Sequence, residues 1–211
     1  MLERTIDGLL ANRLDEILIV TGYLQEQIVS FVKEHYPTLS VKFIYNEKYH
    51  STNNIYSLWL AGPYVKGEKI LLLDSDIVFD PELARAVLNS PYDNALALNR
   101  HPLGEEEMKV VADARGKIVE ISKTCAVETA AGESIGIEKM SSTYVRHLWE
   151  TLDQLILQEK QENVFYEVAF DRLIHLGQTF EIVDTTDYFS MELDTIEDFQ
   201  QATQHIPAKL L

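Results

Sequence analysis

A chain of 211 residues with 18 Lys plus Arg against 34 Asp plus Glu carries a net charge of −16. Such a surface repels phosphate backbones and anionic lipid, which argues against nucleic-acid and membrane partners. The 46% hydrophobic content supports a real core in one domain, no apolar run reaches transmembrane length, and the acidic start MLERTIDG is no signal peptide. Cys125 is the only cysteine, so an internal disulfide is excluded and a cytoplasmic setting fits.

Leu2, Ile6, Leu9 and Leu10 recur at helical spacing and predict an opening amphipathic helix. EILIVTGY (Glu16 to Tyr23) predicts a buried strand with a turn at Gly22, Leu24 to Tyr36 a helix, and VKFIY (Val41 to Tyr45) a strand. Asn53 to Ala61 reads as a helix and KILLLD (Lys69 to Asp74) as a strand. PELARAVLN opens on Pro81, which suits a first helical turn. This alternation predicts an α/β fold with a mostly parallel, Rossmann-like sheet and ligands outside the strand carboxyl ends.

The rhythm then changes. NALALN, MKVVAD, KIVEIS and ESIGIEKM are strand-like, with Ala114-Arg115-Gly116 signalling a hairpin. Ser141 to Lys160 and Tyr166 to Leu176 read as helices, FEIVD (Phe180 to Asp184) as a strand, and Thr195 to His205 as a closing helix. The expectation is a single α/β domain over residues 1–211 with a β-rich insertion in its second half.

Three stretches carry polar groups suited to chemistry. In NEKYHSTNNIYSL, Thr52, Asn53, Asn54 and Ser57 offer donors and acceptors able to read a base or ribose edge, although Thr52 or Asn53 would equally serve as a helix cap. Asp74-Ser75-Asp76 closes an apolar strand. Carboxylates there need compensation, from a divalent cation or from capping. In MELDTIEDF, alternation puts Glu192 and Asp194 on one strand face, and Asp194 or Thr195 is placed to cap the last helix.

Taken in that order, the three stretches resemble the nucleotidyltransferases of the phosphocholine cytidylyltransferase type, which belong to the larger group that makes nucleotide-activated sugars and alcohols. The resemblance implies a GT-A-like sheet and Mg²⁺ held between Asp76 and Asp194. It implies CTP as the donor and a small phosphorylated alcohol such as phosphocholine as the acceptor. Thr52, Asn53, Asn54 and Ser57, with Asp74, match the nucleotide-binding positions. Lys123 resembles the lysine that grips the acceptor's phosphate, and Glu133, Tyr166, Glu167 and Tyr188 fall on the acceptor side. Plainer readings stand beside these: a solvated strand-end charge for Lys123, simple exposure for Glu133, helix packing for Tyr166 with Phe165 and Phe170, and core packing for Phe189 next to Tyr188. Lys109 reads as a surface strand charge, and the six histidines receive no role.

The resemblance begins only at the first helix, so the chain reads as N-terminally truncated relative to that family, lacking a first strand, a Gly-rich loop and a Pro-Lys element. Competing expectations are a sugar-phosphate nucleotidyltransferase or a nucleotide-sugar glycosyltransferase, which also uses D-x-D. An inactive nucleotide-binding or assembly domain is the third.

Overall fold

The computed structural model describes residues 1–207 and 210 and divides into two compact units. The first unit comprises Met1–Arg13, Ile70–Ser141 and Thr179–Leu211; the second comprises Leu14–Lys69 and Ser142–Gln178.

The first unit is built on a mixed six-stranded sheet. Its strands are β3 (Ile70–Leu73), β5 (Ala95–Asn99), β6 (Lys109–Ala112), β7 (Ile118–Ser122), β8 (Gly132–Met140) and β9 (Glu181–Asp184), in the order β7-β6-β8-β5-β9 with β3 also on β8. The long β8 pairs antiparallel with β6 through its first residues and with β3 through its last, while β5 pairs with both its halves. Helix α4 (Pro81–Asn89) packs Leu83, Ala84 and Val87, each 0% exposed, into a core with Ala95, Ala97 and Ile137. Asp80 caps α4 by accepting from the Glu82 N–H at 3.0 Å, and Pro81 follows where a missing N–H costs nothing. Helix α1 (Leu2–Ala11) belongs to the same unit, and Asn12 just past its end donates to the Pro81 carbonyl at 2.9 Å.

A two-stranded antiparallel ladder completes this unit. It pairs β4 (Ile77–Phe79) with β10 (Ser190–Glu192), setting Glu192 opposite Ile77. Helix α7 (Ile196–His205) follows β10 and starts with a reciprocal cap: the Thr195 hydroxyl accepts from the Asp198 N–H, and the Asp198 carboxylate accepts from the Thr195 N–H.

The second unit holds the parallel pair β1 (Glu16–Thr21) and β2 (Ser40–Tyr45), with α2 (Gln25–His35), α3 (Asn54–Val65), α5 (Ser142–Asp153) and α6 (Glu167–His175). α3 runs past the expected Ala61 to Val65 and contains Pro63. Proline there lacks the N–H that would serve the carbonyl four residues back, at Trp59. The Trp149 indole N–H from α5 takes that place, donating to the Trp59 carbonyl at 3.2 Å, and so the helix continues. Gly62 permits the approach, since a Cβ there would lie 2.3 Å from the Trp149 ring.

The α/β expectation holds, and strand pairing is parallel only in part: among the described residues the β1–β2 and β5–β9 ladders are parallel and the other ladders antiparallel. The cause lies in the connections. Short turns such as Asp113–Gly116 can join only antiparallel neighbours, and here the Asp113 carboxylate accepts from the Arg115 and Lys117 N–H groups. No helix among the described residues is long and apolar enough to cross a membrane.

Candidate functional site

In the first unit, two acidic strand ends meet. Asp76 precedes β4 and Asp194 follows β10, and the ladder brings them together: the Leu193 N–H donates to the Asp76 carbonyl at 2.8 Å. Leu193 is buried, and Glu192 and Asp194 flank it on the opposite face, as the alternation requires. Asp74 joins the group from the end of β3, its N–H donating to the Gly136 carbonyl at 2.9 Å. Gly136 has φ +68°, and a Cβ there would lie 2.3 Å from an Asp74 carboxylate oxygen. Only glycine lets β8 pass so close to that carboxylate.

These carboxylates interact. Burial raises Asp76 above the usual carboxylate range; its backbone hydrogen bond opposes this and the Asp194 charge adds to it. Burial, followed by the charges of Glu133, Asp76, Asp194 and Asp74, pushes Glu192 up to about 7. Crowded carboxylates of this kind favour taking up a proton or a cation. Oxygen-only donors of this charge suit a hard divalent ion. Among the described residues no group of three or more His, Cys, Asp or Glu side chains is arranged to hold a metal ion.

Beside the cluster lies a cavity of about 430 Å³, lined by Glu192 and Asp194 together with Glu106, Glu107, Lys123, Glu133, His101 and Asn99. Lys123 faces it from the end of β7, with Glu106 at 3.6 Å. Glu133 opens β8 and binds the His101 ring at 2.7 Å. Desolvation works against the charged imidazole, but the bond to Glu133, the Pro102 carbonyl and the charges of Glu133 and Glu107 outweigh it, so His101 titrates above its ordinary value. Tyr188 is not among the lining residues; it packs on the core around Ile77 and Phe79, while Phe189 packs with Val78 and Leu193.

Sequence reasoning gave His101 no role, yet it stands in the cavity wall. The available signal was its position two residues past β5, at a strand end. Lys109 requires a correction. It is 2% exposed rather than a surface charge, because three backbone carbonyls enclose its ammonium: Glu105 at 3.1 Å, Glu107 at 3.3 Å and Lys123 at 2.8 Å.

In the second unit, Thr52, Asn53, Asn54 and Ser57 gather at the start of α3. The buried Asn46 organises them: its amide nitrogen donates to the Thr52 hydroxyl at 3.2 Å and to the Ser57 hydroxyl at 3.1 Å. Asn53 is the N-cap of α3, its side chain accepting from the Asn54 N–H at 2.7 Å. The Asn54 side-chain oxygen accepts from the Tyr166 N–H at 2.9 Å, which ties α3 to the start of α6. Tyr166 is 2% exposed and lies against Phe170, and Glu167 is buried beside it. The sequence reading gave Asn46 no role of its own, since its partners are six and eleven positions away.

The chain is similar to known proteins over most of its length. The chain is 24% identical over 210 residues to the CMP-5'-(3-aminopropyl)phosphonate synthase of Streptomyces rubellomurinus, covering 96% of this chain but 33% of that relative's length. It is 26% identical over 208 residues to the choline-phosphate cytidylyltransferase of Haemophilus influenzae, covering 97% of this chain and 83% of the relative. Among solved structures, the CTP:phosphocholine cytidylyltransferase of Streptococcus pneumoniae superposes with a TM-score of 0.77 at 18% identity, over 97% of this chain and 84% of that one. At that identity the likeness shows a shared fold. Homologues and structural neighbours are thus cytidylyltransferases and sugar-phosphate nucleotidyltransferases. Residues 1–206 match the family described as a domain of unknown function, DUF6564, and the chain belongs to that family.

Proposed function

We propose that this chain transfers a cytidylyl group from CTP to a phosphorylated small alcohol or phosphonate and releases pyrophosphate. The observation that carries the reading is the β4–β10 ladder, which sets Asp76 and Asp194 on either side of one backbone hydrogen bond in a crowded carboxylate cluster. The relatives' activities on choline phosphate and on an aminopropylphosphonate product support the acceptor class.

In this reading Asp76 and Asp194 hold Mg²⁺, which when bound supplies charge neutralisation around the α-phosphate. Lys123 holds the acceptor's phosphate at the cavity wall and orients one of its oxygens towards the α-phosphorus. That oxygen forms the new P–O bond as the bond to the β-phosphate oxygen breaks. Positioning and electrostatics suffice, so no protein nucleophile is required. Within the first unit, Glu133 and Tyr188 are proposed to serve the acceptor and Asp74 the nucleotide. Within the second, Thr52, Asn53, Asn54 and Ser57 are proposed to read the base and ribose, and Tyr166 and Glu167 to serve the acceptor. A cytoplasmic setting belongs to the same proposal, supported by the lone Cys125.

The test is direct. Incubation with CTP, phosphocholine and Mg²⁺ should release pyrophosphate and give the two coupled ³¹P signals of a diphosphate esterified at both ends, with UTP serving poorly. Release of a nucleoside diphosphate from a nucleotide sugar would instead mark a glycosyltransferase. Tight CTP binding without pyrophosphate would mark a binding domain.

A further inference from the structure

We propose that Lys109 is a positioning residue for the acceptor's phosphate, acting through the backbone of Lys123 and of the Glu105–Glu107 loop. The inference rests on the function proposed above. Its basis is a buried ammonium whose hydrogen bonds, among the described residues, go to carbonyl oxygens from two separate segments of one cavity wall. Lys109 Nζ donates to Glu105 and Glu107 on one side and to Lys123 on the other, at 3.1, 3.3 and 2.8 Å. Three donors thus meet three acceptors, and both segments contribute cavity residues, Glu106 and Glu107 from one and Lys123 from the other.

Stability does not explain such a residue. Lysine is almost never fully buried unless paired, and desolvating an ammonium is costly. Lys109 starts β6 next to Val110, which is 0% exposed, where an apolar side chain would pack at lower cost. What the lysine adds is geometry. Lys109 stands in register with Ser122, the residue before Lys123, and with Glu133. Its three bonds set the height of Lys123's backbone relative to the loop. The Lys123–Glu106 pair cannot do this, because it spans 3.6 Å to a side chain that is 94% exposed, and such pairs contribute little. The buried cation also adds positive charge behind a wall otherwise rich in carboxylates, which favours an incoming phosphate.

Lys109→Met removes the donors and keeps the aliphatic stem. With CTP and phosphocholine as probes, the KM for phosphocholine should rise about tenfold or more while the KM for CTP stays within about twofold. Hydrogen exchange should quicken at the amides of residues 105–107 and 123–125 and stay unchanged along β5 and β8. If Lys109→Met does not fold, Lys109→Gln, which can still serve part of the cage, replaces it with the same split expected. Both KM values rising together, or an unchanged phosphocholine KM, overturns the proposal, as does unchanged local exchange. Should the unaltered chain release no pyrophosphate at all, the cytidylyl-transfer reading fails, and the exchange measurement alone then decides whether Lys109 holds the two segments.

Discussion

At the scale of single residues, the acidic cluster makes the sharpest demands. Glu192 titrates near 7 against an ordinary 4.5, so the folded state binds its proton more tightly than the unfolded chain does. Its contribution therefore favours the fold at low pH and is lost as pH rises from about 4.5 to about 7. His101 has the same sign: its raised value gives stability that is present below about 6.5 and lost as pH rises through the folded value. Without metal, thermal melts should show falling stability across this range, and Glu192→Gln should flatten the profile. At the proposed site Mg²⁺ would compete with the same proton, so the rise in Tm on adding it should be larger above pH 7 than below pH 6. A metal effect independent of pH would contradict this. Gly136→Ala tests the cluster's backbone. The left-handed conformation alone costs about 1–2 kcal/mol, and the new methyl would displace the Asp74 carboxylate, so the variant should melt lower and bind Mg²⁺ more weakly.

At the scale of elements, much was legible from the chain alone. KILLLD, NALALN, KIVEIS and ESIGIEKM announced strands because their apolar runs are bounded by turn residues, and the Asp113–Gly116 turn followed from local chemistry. β4 was not legible: three residues carry no period, and its partner β10 lies more than a hundred positions away. The extension of α3 through Pro63 was hidden for a similar reason, since the group that satisfies Trp59 comes from another helix. Trp149→Phe should therefore leave a carbonyl unpaired and cost about 1–3 kcal/mol, read as a lower denaturation midpoint. The cap of α7 was foreseen at Thr195, and Thr195→Ala should cost about 0.5–2 kcal/mol. The candidate site was legible where it consists of acidic residues at strand ends, as at Asp76 and Asp194. Lys109 and Asn46 were opaque because what they hold is backbone or hydroxyl oxygen supplied by loops, which composition and spacing do not reveal.

At the scale of the whole molecule, a net charge of −16 sets the conditions under which anionic substrates bind. Like charges in excess destabilise the compact state, so moderate salt should raise Tm before any specific ion is considered. Mg²⁺ should raise it further than Na⁺ at equal ionic strength, because the proposed site at Asp76 and Asp194 would bind it directly. The central claim is that Asp76 and Asp194 act as one unit in cytidylyl transfer. Pyrophosphate release from CTP and phosphocholine, compared among the unaltered chain, Asp76→Asn, Asp194→Asn and the double variant, tests it most directly. Each single change should lower the rate about a hundredfold or more, and the double variant should lose little beyond either single one, as expected of groups that act together. Independent, multiplying losses, or single variants that keep most of the activity, would contradict a shared metal site.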